Sequence, residues 1–204
     1  IIEVLLKTIR PQRILELGTL AGYSTLWLLN SLVSGGEILT IEKNPRHAAL
    51  ATRNLAAAGD NGRRKEDCQL SAIAPYHYST TRIYSKKITV WLGEAEKLLG
   101  MIAENWLLNQ PLDAMFIDAD KKNYQQYFAF ASEYLRPGGL LLIDNTLKFG
   151  NVSVYEEDNK NLNQKNVDAK EQMLDFNSFV AKSDRFDSII LPTDSGLTLA
   201  VKLW

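Results

Sequence analysis

Apolar positions along this chain fall into two alternating patterns, short continuous runs and longer segments with helical spacing. The runs at 13–18 (RILELG), 37–42 (EILTIE), 88–93 (ITVWLG), 112–118 (LDAMFID) and 139–145 (GLLLIDN) predict buried strands. Between them, residues 22–34 carry Leu26, Leu28, Leu29 and Leu32 and predict a helix. Residues 45–58 predict another, with Asn44 as N-cap and Pro45 at the first helical position. Residues 94–108 and 121–135 follow, and RPGG at 136–139 stops the second of these. This rhythm predicts an α/β, doubly wound, mostly parallel sheet with helices on both faces. The end of the chain differs. Residues 176–183 read as helix, and 186–192 and 197–204 as two strands joined by TDSG in a hairpin-like connection, so the sheet finishes with an antiparallel strand.

Two polar stretches, 60–87 and 151–170, interrupt the pattern and read as inserted loops. The first is long for a helix-to-strand connection, where about 2–6 residues are usual. No internal repeat is present, and residues 1–204 read as one domain.

Composition agrees. The 204 residues are 46% hydrophobic and 23% charged, which suits one soluble globular domain with a full core. A formal net charge of -1 implies no global attraction to nucleic acid or membrane. The single cysteine, Cys68, excludes an intrachain disulfide and fits a reducing compartment. No apolar run approaches the roughly 18–20 residues that span a bilayer, and no signal-peptide pattern is present, so the expected location is cytoplasmic. The chain opens on Ile1 rather than Met, which leads us to expect a missing N-terminal segment.

The first candidate site is LELGTLAGYS, residues 15–24, where a strand ends, glycines follow and a helix begins. Doubly wound sheets bind nucleotide-like ligands there. Gly18 and Gly22 are expected to let backbone approach a ligand closely. A dinucleotide site needs G-x-G-x-x-G so that a pyrophosphate rests on the helix N-terminus. Here the spacing is Gly18-x-x-x-Gly22, and Glu16 precedes the first glycine by two residues. A carboxylate there suits a ligand with a cationic ammonium and no pyrophosphate, such as S-adenosylmethionine (SAM). Glu42, ending the next strand, is placed to accept hydrogen bonds from ribose hydroxyls in either ligand class.

The second is a pair of runs that end in oxygen-bearing side chains, FIDADK and LLLIDN. If the two strands are neighbours, Asp118, Asp144 and Asn145 converge on one rim of the sheet. Two carboxylates and an amide oxygen form a hard donor set suited to Mg²⁺. Asp120 reads as the N-cap of the following helix. Lys121 sits on that helix's first turn. Lysine, with a reference pKa of about 10.4, is a poor base near neutral pH. A neighbouring cation and partial desolvation both lower that value, so Lys121 is a candidate to take a proton from a hydroxyl.

These motifs, with LRPGGLLLIDN, LKFGNV and the late FN…R…LPTDSGLTLAVK, resemble the metal-dependent O-methyltransferases of the catechol and caffeoyl-CoA type. The resemblance runs from about Arg13 to Trp204, outside the two polar stretches. It implies a seven-stranded, Rossmann-like SAM-dependent methyltransferase fold with a reversed last strand. It implies that Asp118, Asp144 and Asn145 hold a divalent cation, probed first as Mg²⁺, and that Lys121 is the base. Glu16, Gly18, Thr19, Gly22, Ser24, Glu42 and the loop Gly93, Glu94, Ala95 would bind SAM, with Asp118 facing its methionine moiety. It further implies a homodimer and the product S-adenosylhomocysteine. The family's N-terminal helical segment is represented only by residues 1–10, and the 60–87 stretch exceeds the usual connection.

The expected acceptor is a small catechol-like or other vicinal-oxygen compound. An alternative is a hydroxylated uridine in tRNA, since Arg63, Arg64, Lys65, Arg82, Lys86 and Lys87 interleave with Tyr76, Tyr78 and Tyr84. An NAD-dependent oxidoreductase is the alternative of another class, and the glycine spacing disfavours it.

Overall fold

The computed structural model describes residues 1–59, 69–73, 76–83, 85–147 and 164–204. Its strands are β1 (Arg13–Leu17), β2 (Glu37–Glu42), β3 (Gln69–Ile73), β4 (Tyr76–Ile83), β5 (Lys86–Leu92), β6 (Leu112–Ile117), β7 (Leu135–Asp144), β8 (Phe186–Leu191) and β9 (Leu197–Lys202). Its helices are α1 (Ile2–Ile9), α2 (Tyr23–Ser31), α3 (Pro45–Gly59), α4 (Ala95–Met101), α5 (Tyr124–Tyr134) and α6 (Gln164–Ala181).

All the strands join one sheet in the order β3-β4-β5-β2-β1-β6-β7-β9-β8. Five central strands, β5, β2, β1, β6 and β7, run parallel. β9 is antiparallel to both β7 and β8, so the reversed strand lies inside the sheet and β8 forms its edge. The seven strands read from the sequence are all present. Two more, β3 and β4, come from the 60–87 stretch, whose reading as a loop is corrected here. They add an antiparallel hairpin beyond β5. The sequences QLSAI and YHYSTTRI carry no continuous apolar run, and an edge hairpin needs none, so these strands were hidden.

The central strands are buried on both faces because helices cover both. Ile14, Ile38, Phe116 and Leu142 pack with Leu6 of α1, Leu28 and Leu29 of α2 and Leu55 of α3. The alternate positions Leu15, Leu39, Met115 and Ile143 pack with Leu98 of α4, Phe128 of α5 and Phe176 of α6. Each such buried side chain contributes about 1.5–3 kcal/mol relative to exposure. At the rim where the strands begin, the buried Arg13 guanidinium donates to the carbonyls of Leu107 and Gln110 at 3.0 Å and to that of Trp106, and lies 4.4 Å over the Trp106 ring. This closes the π-helical turn Ile102–Leu107 that continues α4.

Several boundaries differ from expectation. α5 ends at Tyr134, and β7 starts at once, with RPGG bulging out between the pairs Leu112↔Leu135 and Ala114↔Leu140. α6 begins at Gln164, so the polar stretch 151–170 ends in helix. Asn44 caps α3 as expected, its Oδ1 accepting the Arg46 N–H at 2.9 Å. Among the described residues no helix is long and apolar enough to cross a membrane.

Candidate active site

The chain leaves β1 to one side for β2 and later returns to its other side for β6, so strand order reverses between β1 and β6. Such a switch point leaves a crevice above the carboxyl ends of the strands. Gly18 follows β1 with φ +100°, and a Cβ built on it would lie 2.1 Å from the Asp118 carbonyl oxygen. The backbone N–H groups of Gly18 and Thr19 both donate to the Ile41 carbonyl, at 3.0 and 3.2 Å. Gly22 has φ +83°, and its Cβ would meet Leu55 Cγ at 3.3 Å. A side chain at either position would meet the protein's own Asp118 carbonyl or Leu55.

A cleft of about 270 Å³ opens at this point, with Gly18, Glu42, Gly93, Ala95, Asp118 and Asp120 in its wall. Five residues expected to bind cofactor therefore meet there. The Glu42 carboxylate accepts the N–H groups of Leu20 and Asn44, each at 2.8 Å, which fixes its orientation at the rim.

The other expected cofactor residues sit elsewhere. Glu16 is 0% exposed. Its two oxygens accept the hydroxyls of Ser24 at 2.5 Å and Thr25 at 2.6 Å. Burial pushes its carboxyl up to about 7; hydrogen bonds from Ser24, Thr25 and Thr40 pull down, and the Asp118 charge adds to the rise. Glu16 thus fastens the first turn of α2 to β1, and the structure does not bring it to the cleft. The Thr19 hydroxyl is buried 2.6 Å from that of Thr40. Glu94 is exposed and pairs with Lys97 at 2.9 Å, whose hydrogen bond and charge hold its carboxyl below the ordinary range.

The second candidate set does converge. β6 and β7 are neighbours with Ile117 opposite Ile143, so Asp118 and Asp144 leave the sheet side by side. Asn145 Nδ2 donates to Asp118 Oδ1 at 2.9 Å. Asp144 Oδ1 accepts the Asn145 N–H at 2.7 Å and the Ser195 hydroxyl at 3.3 Å. Asn145 has φ 64°, a left-handed conformation that asparagine tolerates better than most residues. Among the described residues no three His, Cys, Asp or Glu side chains form a metal cluster. Any cation here would therefore take two carboxylates and the asparagine amide oxygen, a hard, oxygen-only set that fits Mg²⁺ rather than Zn²⁺.

Asp120 stands at the expected N-cap position, but its carboxylate does not cap the backbone. It accepts the Tyr127 hydroxyl at 2.8 Å and the Asn123 amide at 2.5 Å instead. Lys121 lies on a 3₁₀ turn, Lys121–Asn123, that precedes α5. Its Nζ donates to the Tyr124 hydroxyl at 3.5 Å and is 5.2 Å from that ring's centroid. The Tyr124 hydroxyl in turn donates to the Asp144 carbonyl at 3.2 Å. Burial, then the charges of Asp118, Asp144 and Asp120, push this phenol well above its ordinary range. Only the i+3 spacing from Lys121 marks Tyr124 in the sequence.

A second cleft, of about 460 Å³, has Asp144 in its wall. The starts of α1 and α2 and the connection between β8 and β9 form its walls. Tyr23 and Trp27 line it, and nothing in the residue pattern distinguishes them from ordinary helical positions.

Of the basic residues in the 60–87 stretch, Lys86 and Lys87 contact other parts of the chain. Lys86 donates to the Leu29 carbonyl at 2.9 Å, with its ammonium's pKa lowered by burial and by Lys7. Lys87 is 3.5 Å from Glu37. Arg63, Arg64, Lys65 and Tyr84 lie outside the described residues.

Comparison with known proteins places this geometry in context. A family model described as O-methyltransferase matches residues 1–74 and 65–203, two segments that overlap near the inserted hairpin. A catechol O-methyltransferase of Niastella koreensis is 33% identical over 151 residues, covering 74% of this chain and 57% of that protein. A catechol O-methyltransferase of Mycobacterium tuberculosis is 30% identical over 150 residues, covering 74% and 55%. The chain thus spans just over half the length of these curated relatives. Among solved structures, an O-methyltransferase from Bacillus cereus in complex with SAH superposes with a TM-score of 0.73 at 29% identity, covering 98% of this chain and 78% of that one.

Proposed function

The chain belongs to the O-methyltransferase family, and on that premise we propose that it moves a methyl group from SAM to a hydroxyl of a small catechol-like or other vicinal-oxygen compound. The observation that carries this reading is the contact of Asn145 with Asp118 at 2.9 Å, next in sequence to Asp144. Asp118 lines the first cleft and Asp144 the second. A methyl donor in one and an acceptor in the other would meet at these residues.

In this reading Glu42 accepts the ribose hydroxyls of SAM, and Gly93 and Ala95 border its adenine. Asp118, Asp144 and Asn145 hold a divalent cation, Mg²⁺ first among the candidates. A cation held by these three residues would supply Lewis acidity that lowers the pKa of a nearby acceptor hydroxyl. Lys121 receives that hydroxyl's proton at Nζ. The methyl carbon passes in line from sulfonium sulfur to acceptor oxygen, leaving S-adenosylhomocysteine and the methyl ether. Since the sulfonium already activates the methyl group, the chain's contribution is orientation and deprotonation. A homodimer is the assembly we expect.

The tRNA alternative loses support, because Lys86 and Lys87 engage protein partners rather than a shared phosphate-binding face. The NAD alternative meets a Gly18 gap already filled by a carbonyl oxygen, whose partial negative charge would repel a pyrophosphate.

The test is SAM turnover with a panel of catechols and with tRNA, each with and without chelator. We expect catechol methylation that chelator abolishes and Mg²⁺ restores. Full activity in chelator removes the cation from the reading. A fluorescence response to NAD and none to SAM removes the methyltransferase reading altogether.

A further inference from the structure

We infer that Asn177 of α6 is a positioning residue for the candidate cation site: its side-chain amide holds the turn that presents Asn145, and divalent-cation affinity depends on that hold. This rests on the proposed function and extends it to an element outside the site.

Asn145 needs holding. It follows the last residue of β7 and takes φ 64°. A residue with a Cβ is strained in that left-handed region, and the conformation persists where its surroundings over-determine it. The peptide groups on either side do so here. The Asp144 carbonyl accepts the Tyr124 hydroxyl at 3.2 Å. On the other side, Thr146 is 0% exposed. Its carbonyl accepts Asn177 Nδ2 at 2.9 Å, its N–H donates to the Gly196 carbonyl at 3.1 Å, and its hydroxyl accepts that of Thr198 at 3.0 Å.

Both flanks lead to adjacent residues of α6. Met173, Phe176 and Val180 form that helix's buried stripe, at helical spacing. Phe176 packs edge to face on the Tyr124 ring, centroids 5.4 Å apart. Asn177 follows Phe176 and stands one turn after Met173, so it borders the stripe. Seating the stripe on the core therefore brings Phe176 to Tyr124 and the Asn177 amide to Thr146 together.

Packing alone does not account for an asparagine at this position. Its Oδ1 is buried and has no hydrogen-bond partner among the described residues. Burying an unpartnered oxygen is unfavourable, so the amide's favourable contribution is its donor. Flipping the amide would set Oδ1 against the Thr146 carbonyl, acceptor against acceptor, so the bond to Thr146 also fixes which way the amide faces.

The experiment measures Mn²⁺ binding to the cation-free protein, from the EPR signal of free Mn²⁺, with SAM binding by calorimetry and stability by urea denaturation. Asn177→Ala should weaken Mn²⁺ binding by about tenfold or more, the usual loss when a residue that orients a metal ligand is removed, with SAM affinity within about twofold. Asn177→Leu fills the same volume without a donor and removes the unpartnered oxygen, so it keeps the test open if the alanine variant does not fold, and it should weaken Mn²⁺ binding to the same degree. In turnover, the Mn²⁺ concentration giving half the maximal rate should rise in step, while kcat at saturating Mn²⁺ stays within about threefold. Val180→Ala opens a cavity under the same helix; it should lower the urea midpoint and leave Mn²⁺ affinity unchanged. Unchanged Mn²⁺ affinity in the Asn177 variants, or an equal loss in Val180→Ala, overturns this inference and leaves the proposed function standing. A wild-type chain that binds no Mn²⁺ and methylates fully in chelator overturns this inference and the cation in the proposed function together.

Discussion

Gly18 and Asp118 approach so closely that one methyl group on the glycine would sit 2.1 Å from the aspartate's carbonyl oxygen. The contact joins the end of β1 to the end of β6 at the place where strand order reverses, and it sets where the Asp118 carboxylate stands. We expect Gly18→Ala to destabilise the fold by about 2–4 kcal/mol, combining overpacking with the cost of a positive φ. Gly100→Ala is the control: nothing lies within 4 Å of that Cβ, and the position is in α4. It should be neutral or stabilising by up to about 1 kcal/mol. Urea denaturation of the two variants checks this, and equal midpoints would refute the close-contact argument.

Glu16 ties stability to pH. Burial pushes its carboxyl up to about 7 in the folded chain, from an ordinary 4.5. Between those values the native state holds a proton that the unfolded chain has released, so this group's contribution is full below about pH 4.5 and is lost as pH rises through 7. Replacing it by the neutral isostere, Glu16→Gln, should remove that slope. The variant should gain on the wild type by about 3 kcal/mol between pH 4.5 and 8. Denaturation midpoints at the two pH values measure the difference; a gap that does not widen with pH would contradict a charge-averse Glu16.

Lys121→Ala should lower kcat by about 10²–10⁴-fold, the usual contribution of a general base. SAM affinity, read by calorimetry, should stay within about threefold, since Lys121 is not among the residues lining the first cleft. A fall in kcat of less than threefold at saturating Mg²⁺ would take Lys121 out of the mechanism.

Tyr124 links Lys121 to the Asp144 carbonyl through one hydroxyl. Tyr124→Phe keeps the ring and deletes that link. We expect kcat to fall about tenfold, ~1.4 kcal/mol of lost positioning, with acceptor KM little changed. Stability should drop by about 1 kcal/mol for the lost hydrogen bond to the Asp144 carbonyl. If KM moves and kcat does not, the hydroxyl serves binding rather than the placement of Lys121.

Much of this architecture is written locally. Continuous apolar runs marked the central strands because both of their faces are covered, and Asn44 followed by Pro45 marked the start of α3. The runs ending in Asp118 and in Asp144 and Asn145 showed that oxygen donors would gather on one rim, since parallel strands end together. The β3–β4 hairpin escaped notice because its strands do not carry the apolar signature of the sheet's centre.

What the tertiary structure alone decided is where side chains point and which distant segments meet. Glu16 alternates with Leu15 and Leu17, and its parity turns it to the face of Ile14, under α2, where the hydroxyls of Ser24 and Thr25 await it. Nothing local distinguishes that outcome from a carboxylate facing a ligand. Tyr23 and Trp27 share a cleft wall with the β8–β9 connection, far from them along the chain. Periodicity and capping depend on neighbours a few residues apart, so the sequence determines them alone. Strand adjacency, the filling of the space beside Gly18 and the composition of a cleft depend on contacts between segments far apart along the chain, and only the packed chain decides those.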